Sequence, residues 1–375
     1  MNLSDSVWKR QESAIYQLRA LYQRYGYSLY KVSKFEEYDL YAHNKSFLVS
    51  QNILTFTDTN GKLLALKPDV TLSIVKNVPD QDSVMHKFCY NENVYRTADD
   101  SDGFREIMQT GLECIGPIDL YAESEVILLA MKSLDTISDD AILDISHMGL
   151  IEGCVEEAEI PQKEKNSVLD CIEHKNLHAL KALCQRCGVS EDMQNRLCAL
   201  TELYAPIQQA LHLLKPIIIG QKMQAAYENL VATTKLLASS QTNARLYIDC
   251  SIVNDVHYYD GIIFKGFING IPNSVLSGGR YDRLLNRLGK RSGAIGFAVY
   301  LDRLERLEVQ GTQYDVDTVL LYEQGCDLAK LIEAQTDLMK NGERVITTTS
   351  VDPALRYRKL LKLTDGGLQT LETND

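Results

Sequence analysis

The spacing of apolar and polar positions predicts strands and helices in an irregular order, with no internal repeat. Apolar residues recur at helical spacing within residues 1–26, and this helix is expected to end at Gly26. Strand-like alternation follows, interrupted by a turn signal at Asn60-Gly61. Because the strands follow one another at hairpin-like spacing, we expect an antiparallel sheet. The predicted strands of this part are 28–32, 47–56, 63–66, 86–95, 105–115 and 143–148, with a helix at 123–133.

The pattern changes after this first group of strands. Nearly all of residues 149–240 have apolar positions at helical spacing, with a break at Pro206. A long helical stretch between two groups of strands indicates an inserted helical module. The predicted helices of this module are 163–173, 177–187, 191–204 and 223–237.

In the last third of the chain, the spacing of apolar positions predicts strands again and then a small separate unit. A polar linker at residues 311–313 marks the boundary between them. We therefore expect a main domain over 1–310, whose helical insertion spans about 150–240, and a short βαβα unit over 315–375. The predicted elements are strands at 246–249, 261–267 and 274–276, then strand 318–322, helix 327–340, strand 344–348 and helix 353–363.

Composition indicates an ordinary globular protein. The chain has 375 residues, 45% of them hydrophobic and 24% charged, which suits two or three domains with ample core. No apolar run approaches the roughly 18 residues that a membrane helix needs. The amino-terminal segment has no signal-peptide core. We therefore expect a cytoplasmic protein with no membrane association.

Charge and cysteine content narrow the function further. The net charge of −12 argues against nucleic-acid binding, although a local basic patch can occur on an acidic protein. Among nine cysteines, only Cys184 and Cys187 form a C-x-x-C pair, without partners at the spacing of a zinc finger. We predict buried free thiols and no metal site, with zinc or redox use as the alternative.

The most informative stretch consists of two glycine-containing segments, SGGRYDRL at 277–284 and GAIGFAVYLDRL at 293–304. The pattern predicts a glycine-rich turn, a short helix, a second glycine turn, a strand and a helix that carries Arg303. Glycines let a backbone approach a ligand closely, and an arginine on a packed helix offers a fixed cationic fork to a carboxylate or phosphate. The alternative is a pair of ordinary glycine turns beside a solvated Arg303.

Polar side chains form a stripe along the strand predicted at 105–115. Residues two apart share one face of a strand, so Arg105, Gln109, Gly111 and Glu113 should line the same side. Gln109 and Glu113 can accept hydrogen bonds from an ammonium group, and Gly111 would leave room for that group. A solvent-facing strand of mixed polarity is the alternative that spacing alone leaves open.

Two more clusters carry candidate binding groups. The segment LKPDVT at 66–71 places Asp69 and Thr71 after a proline turn, where a helix opens. Farther along, His257, Tyr258 and Tyr259 lie beside a turn, which suits packing against a planar ring. The alternatives are a capped helix without a ligand, core tyrosines and a structural histidine.

The two glycine-containing segments resemble motif 3 of class II aminoacyl-tRNA synthetases, and over residues 5–310 the clusters together resemble the histidyl-tRNA synthetase catalytic domain. Arg96 and Arg303 fall on the arginines of motifs 2 and 3. Gln109 and Glu113 fall on the amino-acid-binding pair. The resemblance implies an α+β fold with an antiparallel sheet flanked by helices, a helical insertion and a short C-terminal α/β unit. It also implies a histidine site made of Asp69, Thr71, Arg96, Gln109, Glu113, Tyr258, Tyr259 and Arg303.

The chain departs from the synthetases where aminoacylation needs positive charge. Asn254 stands where the resemblance places an arginine that serves the reacting carboxylate and α-phosphate, and loss of such a group typically costs about 10²–10³ in rate. The motif 2 loop is acidic, with Asp99, Asp100 and Asp102 in a place where synthetases handle ATP and tRNA. The tail at 315–375 resembles the start of an anticodon-binding domain but is too short to complete it.

These departures make the chain similar to the regulatory subunits of ATP phosphoribosyltransferase, a family related to the synthetases. The resemblance implies a subunit without catalytic residues or cofactor, which a short-form catalytic subunit needs for activity and for feedback inhibition by histidine. It also implies self-association, although Ser33 replaces the motif 1 proline. The alternatives are an active histidyl-tRNA synthetase-like enzyme, or another synthetase paralogue that senses or transfers an amino acid.

Overall fold

The computed structural model describes residues 10–44, 48, 52–81, 83–97, 103–238, 242–253, 258–307, 314–364 and 366–374. The chain divides into two compact units, a large one within Trp8–Leu307 and a small one within Glu308–Asp375. No helix among the described residues is both long and apolar enough to cross a membrane.

The large unit combines a broad sheet with helices. Its strands are β1 (Ser28–Leu29), β2 (Phe35–Glu37), β3 (Thr55–Thr57), β4 (Leu63–Leu66), β5 (His86–Thr97), β6 (Phe104–Gly116), β7 (Ala141–His147), β8 (Tyr204–Pro206), β9 (Arg245–Asp249), β10 (Ile262–Ile268), β11 (Leu276–Arg280) and β12 (Gly293–Tyr300). Its helices are α1 (Arg10–Arg24), α2 (Tyr38–Ala42), α3 (Thr71–Asn77), α4 (Leu120–Ile137), α5 (Met148–Glu157), α6 (Lys165–Glu173), α7 (Leu177–Arg186), α8 (Glu191–Glu202), α9 (Ile207–Leu214), α10 (Gly220–Leu237) and α11 (Asp282–Arg287), with 3-10 helices at Gln162–Glu164 and Leu301–Leu307.

The main sheet of the described residues has the order β1-β5-β6-β12-β11-β10-β7-β9-β8. Its central pairs from β5 to β7 are antiparallel, as predicted, whereas β1 pairs with β5, and β7 with β9, in parallel. A short separate sheet has the order β2-β4-β3. Of the strand predicted at 47–56, only residues 55 and 56 belong to a strand, at the start of β3. Residues 48 and 52–54 are described but are not in a strand, and residues 47 and 49–51 lie outside the described residues.

Hydrophobic clusters pack on both faces of the main sheet, and Ile115 of β6 belongs to the second cluster. Leu112 of β6 is fully buried in the same cluster as Val126 and Leu129 of α4. Because successive side chains of a strand point to opposite faces, Gln109 and Glu113 project from the other face of β6. The fold thus places Gln109 and Glu113 on the face opposite α4, here called the polar face, beside the buried residues of the second cluster.

The predicted helical insertion is present, with one correction at its centre. The helix predicted at 191–204 ends at Glu202, and Tyr204–Pro206 forms an edge strand of the main sheet. Pro206 lacks a backbone N–H and disfavours a helical residue before it, so the chain becomes extended there. Cys184 is buried in this module, and burial raises the pKa of its thiol to about 11. No cluster of metal-ligating side chains occurs among the described residues.

The glycine-rich turn predicted at 277–280 is instead part of β11. A Cβ on Gly278 would collide with Phe297, and one on Gly279 would lie 2.7 Å from the Tyr259 ring. These glycines therefore serve close packing between strands rather than a turn. The predicted α-helix that carries Arg303 is a 3-10 helix.

The small unit contains β13 (Val316–Leu321), α12 (Leu328–Lys340), β14 (Val345–Thr348), β15 (Tyr357–Thr364) and β16 (Gly367–Thr373). Its sheet has the order β14-β13-β15-β16, with β13 parallel to both of its neighbours. Leu320 and Leu361 of the sheet and Leu331 of α12 form its buried core.

The prediction of a last helix at 353–363, and with it the βαβα description, is wrong. The pairing of β15 with β16 shifts register between Leu360 and Leu361, and both of these side chains are buried. Buried and exposed side chains therefore do not alternate here as they do in a regular strand. That local pattern resembles helical spacing. Gly367, with φ of +108°, then closes a tight hairpin to β16.

Candidate functional site

A cavity of about 510 Å³, including its mouth, opens on the polar face of the main sheet. Strand β6 forms its floor, β12 and β11 continue the floor, and the start of α3 and the segment before β10 form its walls. Seven of the eight predicted histidine-binding side chains line it, namely Asp69, Thr71, Arg96, Gln109, Glu113, Tyr258 and Tyr259.

Glu113 is the central polar group of the cavity and is only 2% exposed. Thr71 Oγ1 donates to its Oε1 at 2.6 Å, and the Tyr281 hydroxyl donates to its Oε2. Burial raises the pKa of the Glu113 carboxyl to about 8, with a smaller contribution from the nearby Asp69. Gly296, opposite Glu113 on β12, is required because a Cβ there would overlap the carboxylate.

Asp69 and Arg96 form a second polar group on the wall. Asp69 Oδ1 accepts a hydrogen bond from the Leu72 N–H at 2.8 Å, which fixes the carboxylate at the start of α3. Arg96 Nη2 lies 3.8 Å from Asp69 Oδ2, and Arg96 Nε donates to the Pro68 carbonyl at 2.6 Å. Burial raises the pKa of Asp69, and the Arg96 charge opposes that rise. Arg96 thus holds the turn before α3 and balances one buried carboxylate.

Gln109 contributes an amide with unused hydrogen-bonding capacity. Its side chain is 2% exposed, and within the described part of the chain its Nε2 has no hydrogen-bond partner. A buried polar group without a partner costs free energy, so a ligand that pairs with it gains affinity. The space expected at Gly111 for an ammonium group is instead occupied by Tyr90, whose hydroxyl would lie 2.6 Å from a Cβ at this position.

Aromatic rings form one side of the cavity. The rings of Tyr258 and Tyr259 lie 4.7 Å apart at 67°, and Tyr258 lies 5.4 Å from Tyr281 at 51°. Tyr281 and Tyr90 also line the cavity, but sequence reasoning did not identify them as site residues. Tyr281 lies within the conspicuous segment 277–284, and it projects into the cavity because β11 is a strand.

The structure does not bring Arg303 into the cavity. Its Nη1 donates to the Ser274 carbonyl, and its guanidinium lies 4.4 Å from the ring centroid of Tyr300, which does line the cavity. The 3-10 geometry of Leu301–Leu307 directs the side chain to this neighbouring loop. Arg105 of the predicted stripe is exposed near the start of β6 and does not line the cavity.

Some of the predicted departures cannot be compared with the structure. Asn254, His257 and the acidic positions Asp99, Asp100 and Asp102 lie outside the described residues.

The cavity as described suits a small cation with a planar ring. The two buried carboxylates can receive an ammonium group, the unpartnered Gln109 Nε2 can donate to an acceptor of the ligand, and three tyrosine rings can pack against a planar ring. Arg96 is the one cationic side chain among the described residues that line it. A single arginine, already bound to a carbonyl and near a carboxylate, gives little compensation for the charge of a triphosphate.

Comparison with known proteins gives the family from sequence, and solved structures share the fold. The family model described as histidyl-tRNA synthetase matches residues 2–304. An ATP phosphoribosyltransferase regulatory subunit from Clostridium kluyveri is 30% identical over 335 residues, which cover 87% of this chain and 85% of the relative.

Two solved structures share the fold. The structure of an ATP phosphoribosyltransferase regulatory subunit/histidyl-tRNA synthetase from Bacillus halodurans has a TM-score of 0.78 at 21% identity, covering 96% of both chains. The ATP phosphoribosyl transferase (HisG:HisZ) complex from Thermotoga maritima contains a chain that matches with a TM-score of 0.62 at 20% identity. The match covers 78% of this chain and 97% of the Thermotoga chain. The matched model and the close relative together place this chain in the histidyl-tRNA synthetase family, among the regulatory subunits of ATP phosphoribosyltransferase.

Proposed function

We propose that this chain has no catalytic activity of its own, binds histidine in the cavity and controls a short-form ATP phosphoribosyltransferase catalytic subunit. The observation that carries this proposal is the buried Glu113 carboxylate beside the unpartnered amide of Gln109 and the tyrosine wall. The histidine ammonium binds Glu113, and the imidazole packs against Tyr258 and Tyr259. Histidine bound there favours an inhibited arrangement of the complex, with a coupling free energy of about 1–3 kcal/mol.

The charge of the cavity supports a binding role rather than adenylate formation. Arg96 is engaged by the Pro68 carbonyl, and Arg303 by the Ser274 carbonyl. Arg303 does not line the cavity, and the Asp69 carboxylate offsets part of the Arg96 charge, so little positive charge is available for a reacting phosphate.

The charge pairing within the small unit supports a function that does not involve tRNA binding. A surface that reads nucleic acid needs lysine and arginine side chains that can release counterions from phosphates. Here most of the basic side chains pair with acidic ones of the same unit. The pairs are Arg344–Asp317, Arg356–Asp315, Lys359–Glu343, Lys362–Glu323 and Lys340–Asp337, at 2.6–3.1 Å.

The proposed partner is suggested by the relatives. The Thermotoga maritima chain is part of a complex named for ATP phosphoribosyl transferase, and it matches 78% of this chain. We propose that the corresponding part of this chain meets the catalytic subunit. Two copies of this chain pair within that assembly, and the exposed Phe35, Phe56 and Leu63 of the small β2-β4-β3 sheet provide apolar surface for it.

The function is tested by two assays on the purified chain. Added to a short-form catalytic subunit, it should switch on the joining of ATP to phosphoribosyl pyrophosphate, and histidine should then inhibit the mixture. Alone, with histidine and ATP, it should show no exchange of pyrophosphate into ATP. Exchange at a rate typical of synthetases, roughly 1–10³ s⁻¹ for enzymes in general, would refute the proposal.

Histidine affinity should depend on pH through Glu113. Because its pKa is raised to about 8, Glu113 is largely protonated at pH 7 in the empty cavity. An ammonium group requires the carboxylate, so binding must release the proton. Between pH 7 and 8, where the imidazole of free histidine is largely neutral, affinity should rise by about fivefold. Calorimetry at pH 7 in two buffers of different ionisation enthalpy should detect the released proton, and equal heats in both buffers would contradict this assignment.

A further inference from the structure

The segment Arg280–Arg283 lies between the cavity and the helical insertion. Tyr281 points toward the cavity, where its hydroxyl donates to Glu113. Arg283 instead pairs with Glu152 of α5, and Arg280 pairs with Glu123 of α4, which accepts a hydrogen bond from α10. We infer that these four residues, held by Asp260, are positioning residues that transmit histidine binding to helices α5 and α10. This inference rests on the proposed function and names the element that responds.

Asp260 fixes the aromatic wall of the cavity to the start of α11. Its N–H donates to the Arg280 carbonyl at 3.0 Å, and its carboxylate accepts from the backbone N–H groups of Asp282 at 3.2 Å and Arg283 at 2.6 Å. Tyr258 and Tyr259 directly precede Asp260 in the chain. A displacement of their rings therefore moves the segment that contains Tyr281.

Arg283 joins this segment to the insertion through a bidentate ion pair. Its Nη1 lies 2.9 Å from Glu152 Oε1, and its Nη2 donates to Glu152 Oε2 at 3.0 Å. Two parallel bonds of this kind fix orientation as well as distance. Glu152 of α5 also accepts from Lys222 of α10 at 2.8 Å, so one carboxylate connects three helices.

A second bridge runs parallel to the first. Arg280 Nη1 lies 3.4 Å from Glu123, which is 1% exposed and accepts from Asn229 of α10 at 2.8 Å. Arg280 is also held by Asp282 at 2.9 Å. The two bridges lie on either side of Tyr281 in sequence, so a movement of this residue acts on α10 at two points.

Helices α5 and α10 are packed closely enough that a movement of one displaces the other. A Cβ on Gly153 would lie 2.7 Å from Met223, and a Cβ on Gly149 would lie 3.0 Å from Ala226. Close approach through glycine leaves little freedom for one helix to move without the other. When a ligand ammonium binds Glu113, it shares the carboxylate with the Tyr281 hydroxyl. This added contact at Glu113 distinguishes the occupied state from the empty one.

The test compares Arg283→Ala with Arg287→Ala, a control on the same helix whose guanidinium donates to the His43 carbonyl. Hydrogen exchange of the whole chain is measured with and without histidine, and calorimetry gives the affinity. In the unaltered chain, histidine should slow exchange in residues 148–157 and 220–237 by about fivefold or more. Arg283→Ala should lose this slowing but still bind histidine, and Arg287→Ala should behave like the unaltered chain.

The conservative variant separates coupling from folding. Arg283→Lys keeps one charged bond to Glu152, so it should restore part of the slowing that Arg283→Ala loses. In the complex with the catalytic subunit, Arg283→Ala should raise the histidine concentration for half-inhibition by about fivefold or more. If Arg283→Ala binds histidine and shows the full slowing, this inference is wrong. If the unaltered chain binds no histidine, the proposed function itself fails.

Discussion

Replacement of Glu113 by glutamine is expected to weaken histidine binding about 100-fold. The amide has the same shape as the carboxylate. Its oxygen can accept from one of the Thr71 and Tyr281 hydroxyls, and its nitrogen can donate to the other hydroxyl, which then acts as the acceptor. It carries no charge, however, so the bond to the histidine ammonium becomes an ordinary hydrogen bond. A hydrogen bond to a charged group contributes about 1.5–3 kcal/mol, and burial at 2% exposure places Glu113 at the upper end.

Calorimetric titration with histidine measures this effect directly. The matched control is Glu106→Gln, which changes an exposed carboxylate on the same strand that accepts from Asn93 and Tyr95. The control should bind like the unaltered chain. Glu113→Gln should also lose the proton release described above, because no carboxyl remains to titrate. An affinity within threefold of the unaltered chain would remove Glu113 from the site.

Most of the residues that line the cavity could be predicted from the sequence because their grouping depends on local backbone geometry. Gln109 and Glu113 are four residues apart on one strand, and alternation alone places them on the same face. Asp69 and Thr71 are brought together by the start of a short helix. Tyr258 and Tyr259 are adjacent in the chain. Such groupings need only the correct secondary structure, which was predicted correctly for β6 and α3.

The parts that sequence reasoning missed depend on strand register over long separations. Gly296 leaves space for the Glu113 carboxylate only because β12 pairs with β6 in a particular register. Gly279 likewise leaves space for the ring of Tyr259. Locally, two adjacent glycines favour a turn, so the sequence predicts a turn at 277–280 and does not indicate that Tyr281, which follows it, reaches the cavity.

The other errors have the same origin. Arg303 was expected in the site, but its direction depends on the Ser274 carbonyl, which is 29 residues away in the chain. The helix predicted at 353–363 falls mostly on β15, where the adjacent Leu360 and Leu361 are both buried across a register shift and the alternation expected of a strand is lost. In each case the decisive contact lies with another element, and no local pattern records it.

The largest effect on stability is expected from Lys67, whose side chain is only 1% exposed. Its Nζ lies 2.5 Å from Glu92 Oε2, and Glu92 Oε1 accepts from the Val32 N–H at 3.1 Å. This pair connects the turn before α3 to β5. Lys67→Met would leave the Glu92 carboxylate, 15% exposed, without its partner. Removing one member of a buried pair costs about 3–5 kcal/mol, so urea unfolding should shift strongly to lower concentration.

The double variant Lys67→Met/Glu92→Gln distinguishes the stranded charge from lost packing. Because it removes both charges, it should recover about half or more of the lost free energy of unfolding. The matched control is the exposed pair Lys62–Glu37, whose side chains are 63% and 59% exposed. Lys62→Met should change unfolding little, since exposed pairs are screened by water and salt. If the double variant is less stable than Lys67→Met, the penalty comes from packing around the lysine stem, and the buried charge of Glu92 is not its cause.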